Sequence, residues 1–169
     1  AAGYIPDARG QVNDIRFFSQ SSKLVYDEPV DVETVAKHTA DQFQHYTQYA
    51  GVRPMGVALI IGGVDNSGNS LFLADPSGTY VAYNAVAIGA NSDIVTEFLK
   101  KEYKSELTIA EGSMLAIAAI YLSSEIKKGT KHIKISQIKS DTKQFEVITD
   151  EQLAKLAQSA IEKYPAEHK

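Results

Sequence analysis

Around residue 50 the chain changes its period, and no other stretch limits the possible folds as strongly. Upstream, Val32, Val35, Ala36, Thr39, Ala40, Phe43 and Tyr46 recur at helical spacing and give that segment one apolar face. Downstream, Gly56-Val57-Ala58-Leu59-Ile60-Ile61-Gly62-Gly63 is a continuous apolar run bounded by glycines, the pattern of a strand buried on both faces. The residues between must turn a helix into a strand. Gly51 can take a positive φ without a steric penalty, and Pro54 biases Arg53 away from the helical region. A turn of this kind with Tyr46, Tyr49 and Arg53 near its tip is a candidate contact surface.

The rest of the chain supplies a frame for that turn. Residues 7 to about 23 read as a first helix with Asp7 as N-cap and Ala8, Val12, Ile15 and Ser19 on one face. Phe17 and Phe18 are adjacent, so one meets the sheet and the other a neighbouring helix or subunit. Asp31 caps the second helix, residues 32–46. Gly62 to Asn69 form a hairpin connection, Asp75-Pro76-Ser77-Gly78 a second turn, and residues 79–87 a third strand, which together make an antiparallel meander. A third helix, residues 92–103, buries Ile94, Val95, Phe98 and Leu99 and pairs Glu97 with Lys101. Thr108 and Glu111 form a capping box for an almost wholly apolar fourth helix, expected to run to Lys128. Ile133 and Ile135 alternate, as do Phe145 and Val147, which gives a last hairpin; Thr149 and Gln152 cap a final helix. Helices and strands segregated in this order imply an α+β fold rather than a doubly wound sheet.

Composition narrows the partners. At 169 residues with 44% hydrophobic residues the chain suits one domain, residues 1–169. A formal charge of -4 without a long basic run argues against nucleic acid and against an anionic membrane surface. The absence of cysteine excludes disulfides and thiolate metal sites and favours an intracellular setting. No apolar run is long enough to span a bilayer, and residues 1–10 lack the pattern of a signal peptide.

Catalytic and metal readings find little support. His38, His45, His132 and His168 show no ligand spacing, and no acidic residue accompanies His38 or His45 at such a spacing. The turn Asp65-Asn66-Ser67-Gly68-Asn69 lacks the terminal bidentate Glu of a calcium loop. Neither Gly62-Gly63 nor Gly89-Ala90-Asn91 has the ending of a phosphate-binding loop, and Asn91 and Ser92 read as helix caps. Ser77 has no nucleophile elbow around it and reads as a turn residue.

Two long motifs in order carry a resemblance: Tyr46-Thr47-Gln48-Tyr49-Ala50-Gly51-Val52-Arg53-Pro54-Met55-Gly56, then Asp75-Pro76-Ser77-Gly78-Thr79-Tyr80. With Pro6-Asp7-Ala8-Arg9, Ala87-Ile88-Gly89 and Phe98-Leu99 before Glu102-Tyr103, the chain resembles α-type subunits of the proteasome core particle, archaeal in character. Ala50 departs from that pattern, where a second glycine is common.

The resemblance implies the four-layer αββα sandwich of the N-terminal-nucleophile hydrolase type, with antiparallel sheets and the N-terminal helix and strands missing. It implies no cofactor and no catalytic residue, since fold relatives that catalyse use an N-terminal nucleophile and this chain begins with Ala1. It also implies a cytoplasmic, non-catalytic subunit of a threonine-type endopeptidase complex. Its partners would be other α-type subunits in a heptameric outer ring, β-type subunits, an ATPase or other activator, and unfolded polypeptide. Tyr49, Ala50, Gly51 and Val52 would line the pore annulus, with Tyr46 and Arg53 in ring and loop contacts. Part of the extra apolar surface at Phe17, Phe18 and Val25 would be covered by a neighbouring or β-type subunit in the full particle. The competing readings are a self-standing N-terminal-nucleophile amide hydrolase and a monomeric ligand-binding α+β domain.

Overall fold

A computed structural model describes residues 1–123 and 129–165. The chain divides into two compact units, Ala1–Gly89 and Ala90–Lys169.

In the first unit a short strand β1 (Ala2–Gly3) leads into helix α1 (Ile5–Tyr26), then helix α2 (Val32–Gln48), β2 (Val57–Asp65), β3 (Gly68–Ala74) and β4 (Tyr80–Ala82). The strands form one antiparallel sheet in the order β1-β2-β3-β4. The meander is therefore as expected, with two differences in extent. The hairpin connection shrinks to Asn66 and Ser67, because Asp65 pairs with Gly68 and the ladder runs through both glycines of β2. The third strand ends at Ala82 rather than 87.

The apolar run of β2 is buried on one face within this unit. Val57 and Leu59 are buried and Ile61 packs beside them, whereas the alternate Ile60 is 36% exposed. Period two decides this: successive side chains point to opposite faces, and the helices meet only one. Phe43, Ala8, Val57, Leu59 and Ala74 form the core, with Ile15, Met55 and Tyr80 against it.

Helix α2 presents the expected face: Val35, Ala36, Thr39, Ala40 and Phe43 are all buried. Its N-terminus is capped twice. The Asp31 carboxylate accepts from the Thr34 amide (2.7 Å), and Asp65, from the hairpin, accepts from the Val32 amide (2.9 Å). Two of the orphan donors of the first turn are thus met, and both carboxylates lie at the positive end of the helix dipole.

Helix α1 corrects several expectations. Its N-cap is Tyr4, with Pro6 in the first turn where a missing N–H costs nothing, so Asp7 lies inside the helix. Gln11 is buried where Val12 was expected, and Val12 is 39% exposed. Phe18 stacks on His38 of α2 with centroids 4.0 Å apart, which covers it within the chain, while Phe17 is exposed.

The second unit holds α3 (Ser92–Glu102), α4 (Ile109–Ser123), the antiparallel pair β5 (Ser136–Ile138) and β6 (Phe145–Val147), and α5 (Asp150–Lys163). Helix α4 packs against both α3 and α5. Ile117, Leu153, Ala157 and Ala160 form the core with Ile133, which is buried but precedes the strand rather than lying in it. Phe145 and Val147 alternate as expected yet face outward, since Ile135 and Ile148 occupy the inner side. In α3, Val95 is buried but Ile94 is 52% exposed, and Glu97 pairs with Lys100 rather than Lys101. Asn91 stands at the N-cap in the left-handed region, but its amide donates to the Ser123 carbonyl (2.8 Å) instead of capping α3. The expected end of the fourth helix at Lys128 falls outside the described residues.

Both capping boxes form. Around Glu111 the box is reinforced, because Lys163 at the end of α5 donates to the same carboxylate (3.1 Å). The Thr108 amide and then the Lys163 ammonium hold the Glu111 carboxyl down at about 2, against an ordinary 4.5. A depressed carboxylate contributes stability fully above its unfolded value and loses it on acidification, here as the pH falls through about 2. In a carboxyl NMR titration Lys163→Met should raise the Glu111 midpoint but leave it below 4.5, since the Thr108 bonds remain. An ordinary midpoint in the parent chain would show that neither bond forms.

Candidate functional site

Helix α2 stops at Gln48, and Tyr49 leaves the helical region with φ -88 and ψ 128. Gly51 follows at φ +89, with nothing within 4 Å of where its Cβ would stand. A β-branched residue there would be strained by the backbone alone. Tyr49 is 57% and Val52 48% exposed, and the Tyr49 ring leans on His45 one helical turn back at 4.1 Å. Ala50, Gly51 and Arg53 are exposed as well, and Tyr46 is half-buried. The four central residues therefore form an outward turn.

The C-terminal side of the turn is held by a residue that sequence reasoning placed elsewhere. Arg53 Nη1 donates to Asp7 Oδ2 (2.7 Å) and Nη2 to Asp7 Oδ1 (2.9 Å), a bidentate fork. The Gly56 amide donates to Asp7 Oδ2 (2.9 Å), and the Arg53 guanidinium lies 5.3 Å from the centre of the Tyr4 ring. Tyr4 in turn donates its amide to the Gly56 carbonyl (2.7 Å). The Arg53 fork and the Gly56 amide hold the Asp7 carboxyl below the usual carboxylate range. Only the two motifs, Pro6-Asp7-Ala8-Arg9 and Arg53-Pro54-Met55-Gly56, hinted that these residues matter; nothing in their spacing said that they meet.

The other candidates keep local roles. The Ser77 hydroxyl donates to the Asp75 carboxylate inside the turn before β4, and Thr79 Oγ1 donates to its second oxygen (2.8 Å). His38 has an acidic partner after all, Asp14 of α1 at 2.7 Å, supplied by helix packing rather than by sequence spacing. His168 lies outside the described residues. Among the described residues there is no group of three or more His, Cys, Asp or Glu that could hold a metal ion. No helix there is long and apolar enough to cross a membrane. A cleft of about 740 Å³ in the second unit has Ile109, Ile148 and Leu156 in its wall. The two lysines in its lining, Lys139 and Lys155, are bound by Glu146 (3.1 Å) and Glu151 (2.9 Å).

These features define an α+β protein that presents an aromatic, glycine-bearing turn from a braced helix end. Residues 1–138 match the family model described as proteasome subunit, and the chain belongs to that family. It is 38% identical over 162 residues to a protein named proteasome subunit alpha from Archaeoglobus fulgidus, covering 96% of this chain and 65% of the relative. Proteins of the same name from Haloquadratum walsbyi and Picrophilus torridus are 39% and 40% identical, covering 99% and 91% of this chain and 66% and 65% of their own lengths. The chain thus spans just under two thirds of the relatives it matches.

Proposed function

We propose that this chain acts as a non-catalytic α-type subunit of the proteasome. In that reading it forms a heptameric outer ring with other α-type subunits, sits on β-type subunits in the cytoplasm, and admits unfolded polypeptide to the proteolytic chamber. An ATPase or other activator docks on the ring. The likeness to chains named proteasome subunit alpha carries this reading. The exposed turn at Tyr49, Ala50, Gly51 and Val52 supports it, because a turn free of packing around Gly51 can approach symmetry copies closely. So do Phe17, Leu24, Val25 and Tyr26, four large apolar side chains of α1 that are each at least 72% exposed and would be covered by a neighbouring subunit.

The pore role is tested by Ala50→Trp in the complete subunit, assembled with β-type partners and with the gate open. One substitution is repeated around a single opening in a cyclic ring. Degradation of an unfolded protein should slow markedly, and hydrolysis of very short peptides should slow less, because they need less clearance. The turn is exposed, so stability should change by no more than about 0.5 kcal/mol. An unchanged protein-to-peptide ratio in intact particles would remove the turn from the substrate path.

A further inference from the structure

The turn at residues 49–52 is fixed at its ends rather than along its length. On one side stands the last turn of α2, with His45 against Tyr49. On the other stands Asp7, whose side chain is only 13% exposed while its partner Arg53 is 61% exposed. The carboxylate is therefore the fixed element and the guanidinium the arm that reaches it. Asp7 also receives the Gly56 amide, so it pins the chain on both sides of Pro54. A bidentate fork fixes orientation as well as distance, which a single contact would not.

We propose that Asp7 is a positioning residue for the pore turn: through Arg53 and Gly56 it fixes where residues 49–52 stand, and so sets how sharply the opening separates one extended strand from two side by side. This rests on the reading of that turn as the annulus. Without the clasp the stretch from Tyr49 to Pro54 is held by the helix end on one side and, on the other, only from Met55 in the core and the Tyr4 amide on the Gly56 carbonyl. Each copy of the turn then occupies a range of positions, and the opening loses its defined width. Wider cross-sections pass part of the time.

The test compares a linear unfolded polypeptide with the same polypeptide looped by one internal disulfide, which must enter as a double strand. Asp7→Asn, Arg53→Gln and the double variant are made in the complete subunit and assembled with β-type partners. The looped-to-linear degradation ratio should rise about threefold or more in each, since a site whose supporting contacts are removed becomes loose before it is lost. Short-peptide kcat and KM should not move, whereas general damage to the particle would lower all rates together. The double variant should match Asp7→Asn, because Arg53 has no carboxylate left to fork once Asp7 is replaced. Arg53→Lys keeps the charge but not the fork and should raise the ratio as well; it serves where the neutral variants do not assemble. An unchanged ratio, or additive effects, overturns the positioning role. If Ala50→Trp still slows unfolded protein in the same preparation, only this inference falls; if Ala50→Trp is also inert, the annulus reading falls with it.

Discussion

Phe43→Ala is expected to lower the unfolding free energy by about 3–5 kcal/mol, the range for deleting a fully buried aromatic ring. Phe43 is 0% exposed at the centre of the first unit's core. Two other members of that core, Ala8 and Ala74, are already small, so they have little side chain with which to fill a void. The surrounding helix and sheet are tied by Asp31, Asp65 and the Asp7 clasp, and these limit relaxation further. The measurement is a urea unfolding curve, in which the midpoint should fall while the slope stays constant. Phe43→Leu, which retains most of the volume, should cost less than about 1.5 kcal/mol. Near-equal losses for the two variants would mean that the site collapses freely and that the core is not close-packed there. Phe43 lies on the helix that stops at Gln48, just before the turn proposed to line the pore.

Gly78→Ala should destabilise by about 2–4 kcal/mol, combining the strain of a left-handed residue with a collision. Gly78 has φ +88, and a Cβ there would stand 2.5 Å from Gln44 Cβ, 2.7 Å from its Cα and 2.8 Å from its N. Two of those three atoms are helix backbone, which cannot step aside as the tip of a flexible side chain can. Gly51 supplies the control. Its φ of +89 is nearly the same, but no atom lies within 4 Å of the Cβ position. Gly51→Ala should therefore cost only the conformational part, about 1–2 kcal/mol. The difference between the two variants isolates the steric term. Equal losses would show that the turn at Asp75 and Gly78 moves off α2 without cost. Phe43 and Gln44, adjacent on α2, thus meet the core and the Gly78 turn respectively, shortly before the exposed residues begin.

Much of this was legible in the residues. The face of α2 followed from its apolar period, since Val35 to Phe43 are packed by neighbours that any amphipathic helix would seek. Capping residues Asp31, Thr108 and Thr149 act over three or four residues, so local sequence specifies them. The helix-to-strand turn was visible for the same reason: glycine and proline act on their own dihedral angles.

What sequence could not give were contacts between distant segments. Asp7 has the composition of an N-cap, and only the pairing of β1 with β2 brings it to Arg53 and Gly56. Asp65 looks like a hairpin residue, and only the packing of α2 on the sheet makes it a second cap. His38 finds Asp14 by the same kind of helix packing. The order of apolar and polar residues determined which elements form and, for α2, which face is buried, because those depend on short-range periodicity. Which carboxylate meets which arginine was decided by the tertiary structure alone, because a charge acts through space on whatever the fold brings within a few ångströms, and no local pattern records that distance.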